Sequence, residues 1–286
     1  MHDDPNAPNP SPSPEKHPGL PMNTTPSQTL SFTAIMPSLN EENNVVEAIT
    51  STLEAMDAFG IDGRVMVIDD GSTDETGERV SEYMSRDPRV RMIRHDTPQG
   101  IGSSFWEGVE QADTEGVVII PGDNEIDPVE IFRYAVLMNH VDIVIPFLYD
   151  RNTRSMFRNI LSLIYRKIIN MTFRTNFNYT NGAVLYRREV LLTLNYRSRS
   201  FFFQTDILIR LVRDGYLFAE VPYKIRRREH GRSKAVNFPS LFAVMRGYFL
   251  LIKAIYFKAK YKSQPKEISP GSMTAARRQG YNEKGE

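Results

Sequence analysis

The sequence predicts an α/β protein built on a mostly parallel β-sheet. Three observations carry this. Five short apolar runs, "FTAIM", "RVMVI", "VRMI", "GVVII" and "VDIVI", recur between Ser31 and Pro146 at intervals of roughly 25–30 residues. Each run is continuous rather than alternating, as strands buried on both faces are. The segments between them carry apolar residues at helical spacing, which makes a βαβ series with right-handed crossovers. Ligands of such sheets bind outside the carboxyl ends of the strands, and the acid- and glycine-rich motifs of this chain fall there.

The 286 residues, 41% of them hydrophobic, fit one domain of roughly 200–250 residues with extra segments. The absence of cysteine excludes a disulfide framework and a thiolate metal site, and agrees with a reducing compartment. The start, "MHDDPNAPNP", lacks the pattern of a signal peptide. No run of ~18 uncharged apolar residues occurs, so no transmembrane helix is expected. The net charge of zero hides an asymmetry. Residues 1–150 hold 27 acids against 8 Lys/Arg, a balance of −19, and residues 151–286 hold 8 against 27, a balance of +19. A cation suits the first half; phosphates or an anionic membrane suit the second. Mutual attraction of the two halves is the plainer alternative.

Taken in order, residues 1–30 contain 8 of the 18 prolines and read as a disordered tail. Residues 31–235 form the α/β domain. The first strand ends in "PSLNEE", where Pro37 stops the strand and Asn40 and Glu41 open a helix; an N-cap with a first-turn acid would by itself explain them. That helix carries Val45, Val46, Ile49, Leu53 and Met56 on one face. The second strand ends in "VIDDGSTDE". Adjacent carboxylates, Asp69 and Asp70, are costly there unless donors or a cation meet them, although a plain Asp-Gly turn is the simpler reading. Thr73 or Asp74 caps the next helix. After the third strand, "TPQGIGSSFWEG" offers Gly100 and Gly102, but Phe105 takes the third glycine position of a dinucleotide fingerprint, which therefore fails. These glycines let the loop approach a ligand or turn tightly into a helix. No phosphate-binding P-loop motif occurs.

The fourth strand ends in "PGDNEIDP". Asp123 and Glu125 are hard oxygen donors suited to Mg²⁺ or Mn²⁺ shared with a substrate phosphate. Asp127 before Pro128 reads as a helix N-cap with Pro at N1. Beyond it, residues 154–174 form a basic amphipathic helix or helix pair with Phe157, Ile160, Leu161, Ile164 and Ile168. Residues 236–262 form a basic, aromatic, acid-free segment suited to lying in a membrane interface, with an ordinary packed helix as the alternative. Residues 263–286 read as a second disordered tail.

The ordered set "PSLNEE", "VIDDGSTD" and "PGDNEIDP" resembles family 2 glycosyltransferases of the GT-A fold. The later "FFFQTDILIRLVRDGYLFAEVPYKIRRREHGRSK" is similar to the narrower group of polyprenyl-phosphate (dolichol-phosphate) sugar synthases. The resemblance covers about residues 32–235. It implies that Pro37, Leu39, Asn40, Glu41, Asp69, Asp70 and Gln99 line a nucleotide pocket, with Gly100 and Gly122 beside it. It implies that Asp123 is the second acid of a metal-binding D-x-D whose first position is Pro121 here, and that Glu125 is a further metal or phosphate ligand. Arg228, Ser233 and Lys234 match a phosphate-facing signature, and Asn181 and Gly182 match a segment beside the sugar pocket.

The function implied is an inverting, metal-dependent transfer of a hexose from a GDP- or UDP-sugar to polyprenyl phosphate. A lipid phosphate is already anionic and needs cations to hold it, which the +19 half supplies, whereas a sugar hydroxyl needs a general base. Asp206 is the candidate base for a hydroxyl acceptor; its other reading is a helix N-terminal acid. A third reading is a catalytically weak, membrane-associated nucleotide-binding scaffold. The expected partners are a nucleotide-sugar, polyprenyl phosphate and the cytoplasmic, inner face of a membrane, with a partner subunit as one source of membrane helices. The acidic first half argues against a nucleic-acid surface.

Overall fold

The computed structural model describes residues 29–149, 156–224, 238–257 and 268–282. All five apolar runs are strands: β1 Ser31–Ser38, β2 Asp62–Asp69, β3 Val90–Arg94, β4 Gly116–Ile119 and β5 Ile143–Leu148. Two more strands, β6 Leu185–Arg187 and β7 Phe218–Tyr223, complete a seven-stranded sheet of order β3-β2-β1-β4-β6-β5-β7. β1 pairs in parallel with β2 and β4, β2 with β3, and β5 with β7. β6 runs antiparallel between β4 and β5. The run "VDIVI" therefore does not extend the parallel ladder from β4 directly, because a short reversed strand is inserted there. That reversal brings the residues just before β6 to the pole where β1, β2 and β4 end.

The helices are α1 Val45–Ala58, α2 Thr76–Met84, α3 Ile101–Gln111, α4 Pro128–Phe132, α5 Met156–Phe173, α6 Arg188–Leu192, α7 Phe203–Arg213, α8 Phe238–Ile252 and α9 Met273–Asn282. A 3₁₀ turn spans Ala135–Asn139 and a π turn continues α8 over Lys253–Phe257. Alternate residues of β1 feed two cores. Phe32, Ala34 and Met36 pack with Ile49, Leu53 and Met56 of α1, while Ile35 packs with Phe105 and Val109 of α3 and with residues of α7. Helices thus cover both faces of the sheet, which is why the strands read as unbroken apolar runs. Each such side chain removed from water contributes roughly 1.5–3 kcal/mol.

Three local expectations are corrected. α1 starts after Asn44, not at Asn40, because Asn40 adopts a left-handed φ of 56° and a turn over residues 42–44 intervenes. α2 starts after Glu75, and Asp74 instead accepts from Thr76 N at 3.0 Å, a turn just outside the helix. Within 263–286, read as a disordered tail, α9 forms and docks. Asp142 supplies the partners that this segment lacks locally, accepting from Met273 N at 2.7 Å and Thr274 N at 3.1 Å. Asp127 does cap α4, accepting from Val129 N at 3.1 Å with Pro128 behind it. The described part of 154–174 holds one helix, α5, and that of 236–262 holds α8 with its π turn. Most of the proline-rich segment 1–30 lies outside the described residues.

Candidate active site

The carboxyl ends of β1 to β4 are tied to one another by short polar contacts. Gly122 N donates to Pro37 O at 3.1 Å, joining β4 to β1. A Cβ at Gly122 would stand 2.3 Å from Ser38 Oγ, so only glycine permits this approach. Ser72 N donates to Asp69 Oδ1 at 2.9 Å, Asn40 N to Ser72 Oγ at 3.0 Å, and Thr73 N to Asn40 Oδ1 at 2.9 Å. Glu41 holds its own turn: its carbonyl accepts from Asn44 N and Val45 N, and its side chain accepts from Asn44 Nδ2 at 2.8 Å. Pro37, Leu39, Asn40, Glu41, Asp69 and Asp70 therefore share one frame.

Asp69 and Asp70 differ in kind. Asp69 is fully buried, and its Oδ2 lies 3.2 Å from Arg94 Nε without the alignment of a hydrogen bond. The guanidinium offsets the charge of this buried oxygen, which keeps its capacity to accept. Both oxygens of Asp70 are engaged: Oδ1 meets Gln99 N at 2.7 Å and His95 Nδ1 at 2.7 Å, and Oδ2 accepts from Gly100 N at 2.8 Å. Asp70 thus holds the loop before α3, and Gln99 and Gly100 are exposed at its edge. Gly100 has φ +90°, which its place before α3 requires. Gly71 also lets that loop in, since a Cβ there would meet Pro98 at 3.0 Å.

In the turn after β4, Pro121, Asp123 and Glu125 are half-buried. Asp123 Oδ1 accepts from Glu125 N at 3.1 Å, and Asn124 between them takes a left-handed φ of 55° and keeps a buried Oδ1 without a hydrogen bond. No cluster of three or more His, Cys, Asp or Glu able to hold a metal occurs among the described residues. Two carboxylates are the protein share that Mg²⁺ usually needs when substrate phosphates complete its shell. The donor set fits a divalent ion bound together with a diphosphate.

The opposite wall comes from the reversed strand. Gly182 O accepts from Gln204 Nε2 at 2.6 Å, and Thr205 Oγ1 reaches Thr180 at 3.0 Å and Asn181 at 3.4 Å. Tyr165 of α5 joins the same hydroxyl cluster through Thr205 at 2.8 Å; burial pushes its phenol up to about 12. Asp206 sits in the first turn of α7, 2% exposed, in a two-pronged ion pair with Arg210 at 2.7 and 3.1 Å. Burial raises its pKa, and Arg210 pulls it back only in part. Arg228, Ser233 and Lys234 lie outside the described residues.

Sequence reasoning missed His95, Glu107, Arg94 and the Tyr165–Thr205–Thr180 cluster. Each depends on a partner 12 to 40 residues away, and a lone His or Tyr in sequence carries no signal of that.

An α/β sheet with acids at the ends of β1, β2 and β4 and a reversed strand beside β4 is the arrangement of the GT-A fold of glycosyltransferases. The profile of glycosyl transferase family 2 matches residues 33–194, and the chain belongs to that family. It is 26% identical over 214 residues to an undecaprenyl-phosphate mannosyltransferase of Micrococcus luteus, covering 70% of this chain and 85% of that one. It is 27% identical over 213 residues to a polyprenol monophosphomannose synthase of Mycolicibacterium smegmatis, covering 70% and 79%. A dolichol-phosphate mannosyltransferase of Pyrococcus furiosus is 25% identical over 232 residues; the match spans 78% of this chain and 64% of that protein's length. Among solved structures, glucosyl-3-phosphoglycerate synthase of Mycobacterium tuberculosis, in complex with Mn²⁺, UDP-glucose and phosphoglyceric acid, superposes with a TM-score of 0.59 at 19% identity, covering 84% and 85%. The last likeness is one of fold.

Proposed function

We propose that this glycosyltransferase moves a hexose from a GDP- or UDP-sugar to a polyprenyl phosphate, with inversion, while α5 and α8 rest on the inner face of a membrane. The observation that carries this reading is the outward face of those helices. Among its described side chains α5 buries Ile169 and Phe173, its narrow side, and leaves Ile160, Leu161, Ile164, Ile168 and Met171 exposed. α8 exposes Phe242, Met245, Phe249 and Leu250, and Phe257 follows in the π turn. Arg246 and Lys253 stand among them beside an apolar cavity of about 550 Å³. The two helices are joined by Thr172 Oγ1 to Tyr248 at 2.7 Å and by Phe173 stacked on Tyr256. No described helix is long and apolar enough to cross a membrane. An exposed apolar face with cations at its edge fits an anionic interface instead. The lipid-phosphate acceptors in the names of the relatives agree with it.

In the step itself a phosphate oxygen attacks the anomeric carbon from the face opposite the nucleotide, the new C–O bond forms, and the nucleoside diphosphate departs with the electron pair. A divalent ion held by Asp123 and Glu125 would stabilise the charge on that leaving group. Arg228 and Lys234 would bind phosphate oxygens. Asp69 would accept from the base or ribose, and Asp70 would keep Gln99 and Gly100 beside it. No proton has to be removed from the acceptor, so the burial of Asp206 in its Arg210 pair is no obstacle.

The upward shift of Asp206 favours a second reading, a hydroxyl acceptor with Asp206 as base. Asp206→Asn separates the two. Removing the carboxylate that pairs buried Arg210 should cost about 3 kcal/mol of stability in either case. A phosphate acceptor should keep kcat within about tenfold of wild type, whereas loss of a general base should lower it by about 100-fold or more. The direct test is incubation with labelled GDP- and UDP-sugars, Mn²⁺ and polyprenyl phosphate. A chloroform-soluble sugar is expected; no lipid product with any donor overturns the proposal.

A further inference from the structure

We propose that His95 is a positioning residue for the nucleotide site: as an imidazolium clamped between Asp70 and Glu107, it latches the Gln99–Gly100 loop onto the end of β2. This rests on the reading of Gln99 and Gly100 as nucleotide-site residues.

His95 follows β3 directly, and its backbone N continues the ladder by donating to Asp69 O at 2.9 Å. Its ring is 7% exposed. Nδ1 lies 2.7 Å from Asp70 Oδ1, and Nε2 lies 2.6 Å from Glu107 Oε2 on α3. Carboxylates only accept, so both ring nitrogens must donate for both contacts to be hydrogen bonds, and only the imidazolium does so. Asp70 Oδ1 is also the acceptor of Gln99 N, and Oδ2 that of Gly100 N. One carboxylate therefore holds both the start and the end of the 95–100 loop. Neutralising the ring leaves one nitrogen lone pair facing a carboxylate, and the repulsion falls either on Asp70 itself or on Glu107 at the base of α3.

The charged groups around the ring agree. Asp70 faces it from β2 and Glu107 from α3. Arg94, the neighbouring cation on β3, is turned to Asp69 at 3.2 Å and to Glu78 of α2 at 3.5 Å. Burial alone disfavours the charged ring, but the hydrogen bonds to Glu107 and Asp70 outweigh it and the pKa moves up from 6.5. A His raised in this way keeps its contribution in full below the unfolded value and loses it as pH climbs through the raised one. The latch is closed below the raised value, where the ring is charged and both carboxylates are ionised, and opens as pH climbs through it. Glu107 is more than a third exposed, so its charge can be removed with little disturbance of packing.

The test follows the His95 ring by NMR together with amide exchange at Gln99 and Gly100, each referred to the intrinsic rate at that pH, and the affinity for UDP and for GDP with Mn²⁺ by calorimetry. In wild type, amide protection and nucleotide affinity should each fall about tenfold as His95 deprotonates, the scale of one charge-assisted hydrogen bond. Glu107→Gln should move both falls to lower pH, because an opposite charge near the ring is lost. His95→Gln should show the lowered protection at every pH. Protection that stays flat through the His95 titration, or a Glu107→Gln profile that superposes on wild type, overturns the latch. Amides that respond as expected while neither UDP nor GDP binds at any pH overturn the nucleotide-site reading and leave the latch standing.

Discussion

At position 122 a missing methyl group sets how near β4 approaches β1. With Ser38 Oγ only 2.3 Å from the place of a Cβ, Gly122→Ala must push Ser38 or the β4 turn aside. Overpacking of this kind costs roughly 1–3 kcal/mol, and the turn it displaces carries Asp123 and Glu125. Melting and turnover should both fall, and adding Ser38→Ala, which removes the clashing oxygen, should restore most of each. A double variant no better than the single one would sink this account. Asp123→Asn makes the complementary case. It keeps the shape of a half-buried side chain and removes a hard anionic donor, so stability should stay within about 0.5 kcal/mol. The kcat with Mn²⁺ should drop by about 100-fold or more, the scale of losing one electrostatic contact to a developing charge. Full activity in that variant would remove the metal assignment. At this scale the sequence is readable where chemistry is local. Asp127 before Pro128 announces a cap because donor and acceptor are two residues apart. Asp70 announces only that donors or a cation must meet it; its partners, His95, Gln99 and Gly100, are not legible, because a strand crossover brings them to it.

The elements divide in the same way. Strands β1, β2, β4 and β5 are legible because burial on both faces writes them as apolar runs, whereas β3, at the sheet edge, buries only Val90 and reads as a shorter one. β6 is three residues long and β7 alternates in burial, so neither has a run to read. The antiparallel placement of β6, which brings Asn181 and Gly182 to the acid-rich pole, follows from tertiary pairing alone. α5 and α8 are legible as amphipathic, yet their sequence does not say which apolar stripe faces the protein. The structure gives the core the narrower one. Phe242 is 74% exposed and Phe249 is 58% exposed, so charging them costs the fold little. Phe242→Glu with Phe249→Glu should leave the melting temperature within about 2 °C of wild type. Partition onto vesicles containing anionic lipid should weaken by about tenfold or more, since each buried aromatic is worth over 1 kcal/mol. Unchanged vesicle binding would show that these helices meet something other than a bilayer.

Across the whole molecule, two ion pairs among the described residues, Arg187–Asp142 and Arg197–Glu110, join the acidic and basic halves. One of those two pairs belongs to the contact that closes the chain on itself. Asp142 precedes β5 at the pole opposite the acid-rich turns and is fully buried. It accepts from Met273 N, Thr274 N and Thr274 Oγ1, while Thr274 Oγ1 accepts from Leu217 N at 2.8 Å and Tyr216 OH accepts from Ser269 N at 3.0 Å. The carboxylate is an N-cap for α9 supplied from 131 residues away, placed where the helix dipole favours an anion. A composition-based reading of residues 263–286 could not find it, since the partners of this segment, Asp142, Tyr216 and Leu217, all lie far away in sequence. Asp142→Ala strands several buried donors at once and leaves Arg187 without its anion, at a cost of about 3 kcal/mol. For a domain of this size that is a fall of roughly 6–12 °C in Tm. The proposed nucleotide site lies at the far ends of the same strands, so affinity for UDP and GDP measured well below the new Tm should match wild type. Thr274→Val, which removes one donor and one acceptor, should reproduce about half of the thermal loss. Wild-type melting in Asp142→Ala would show that α9 is not coupled to the sheet, and a parallel loss of nucleotide affinity would show that the two poles are not independent.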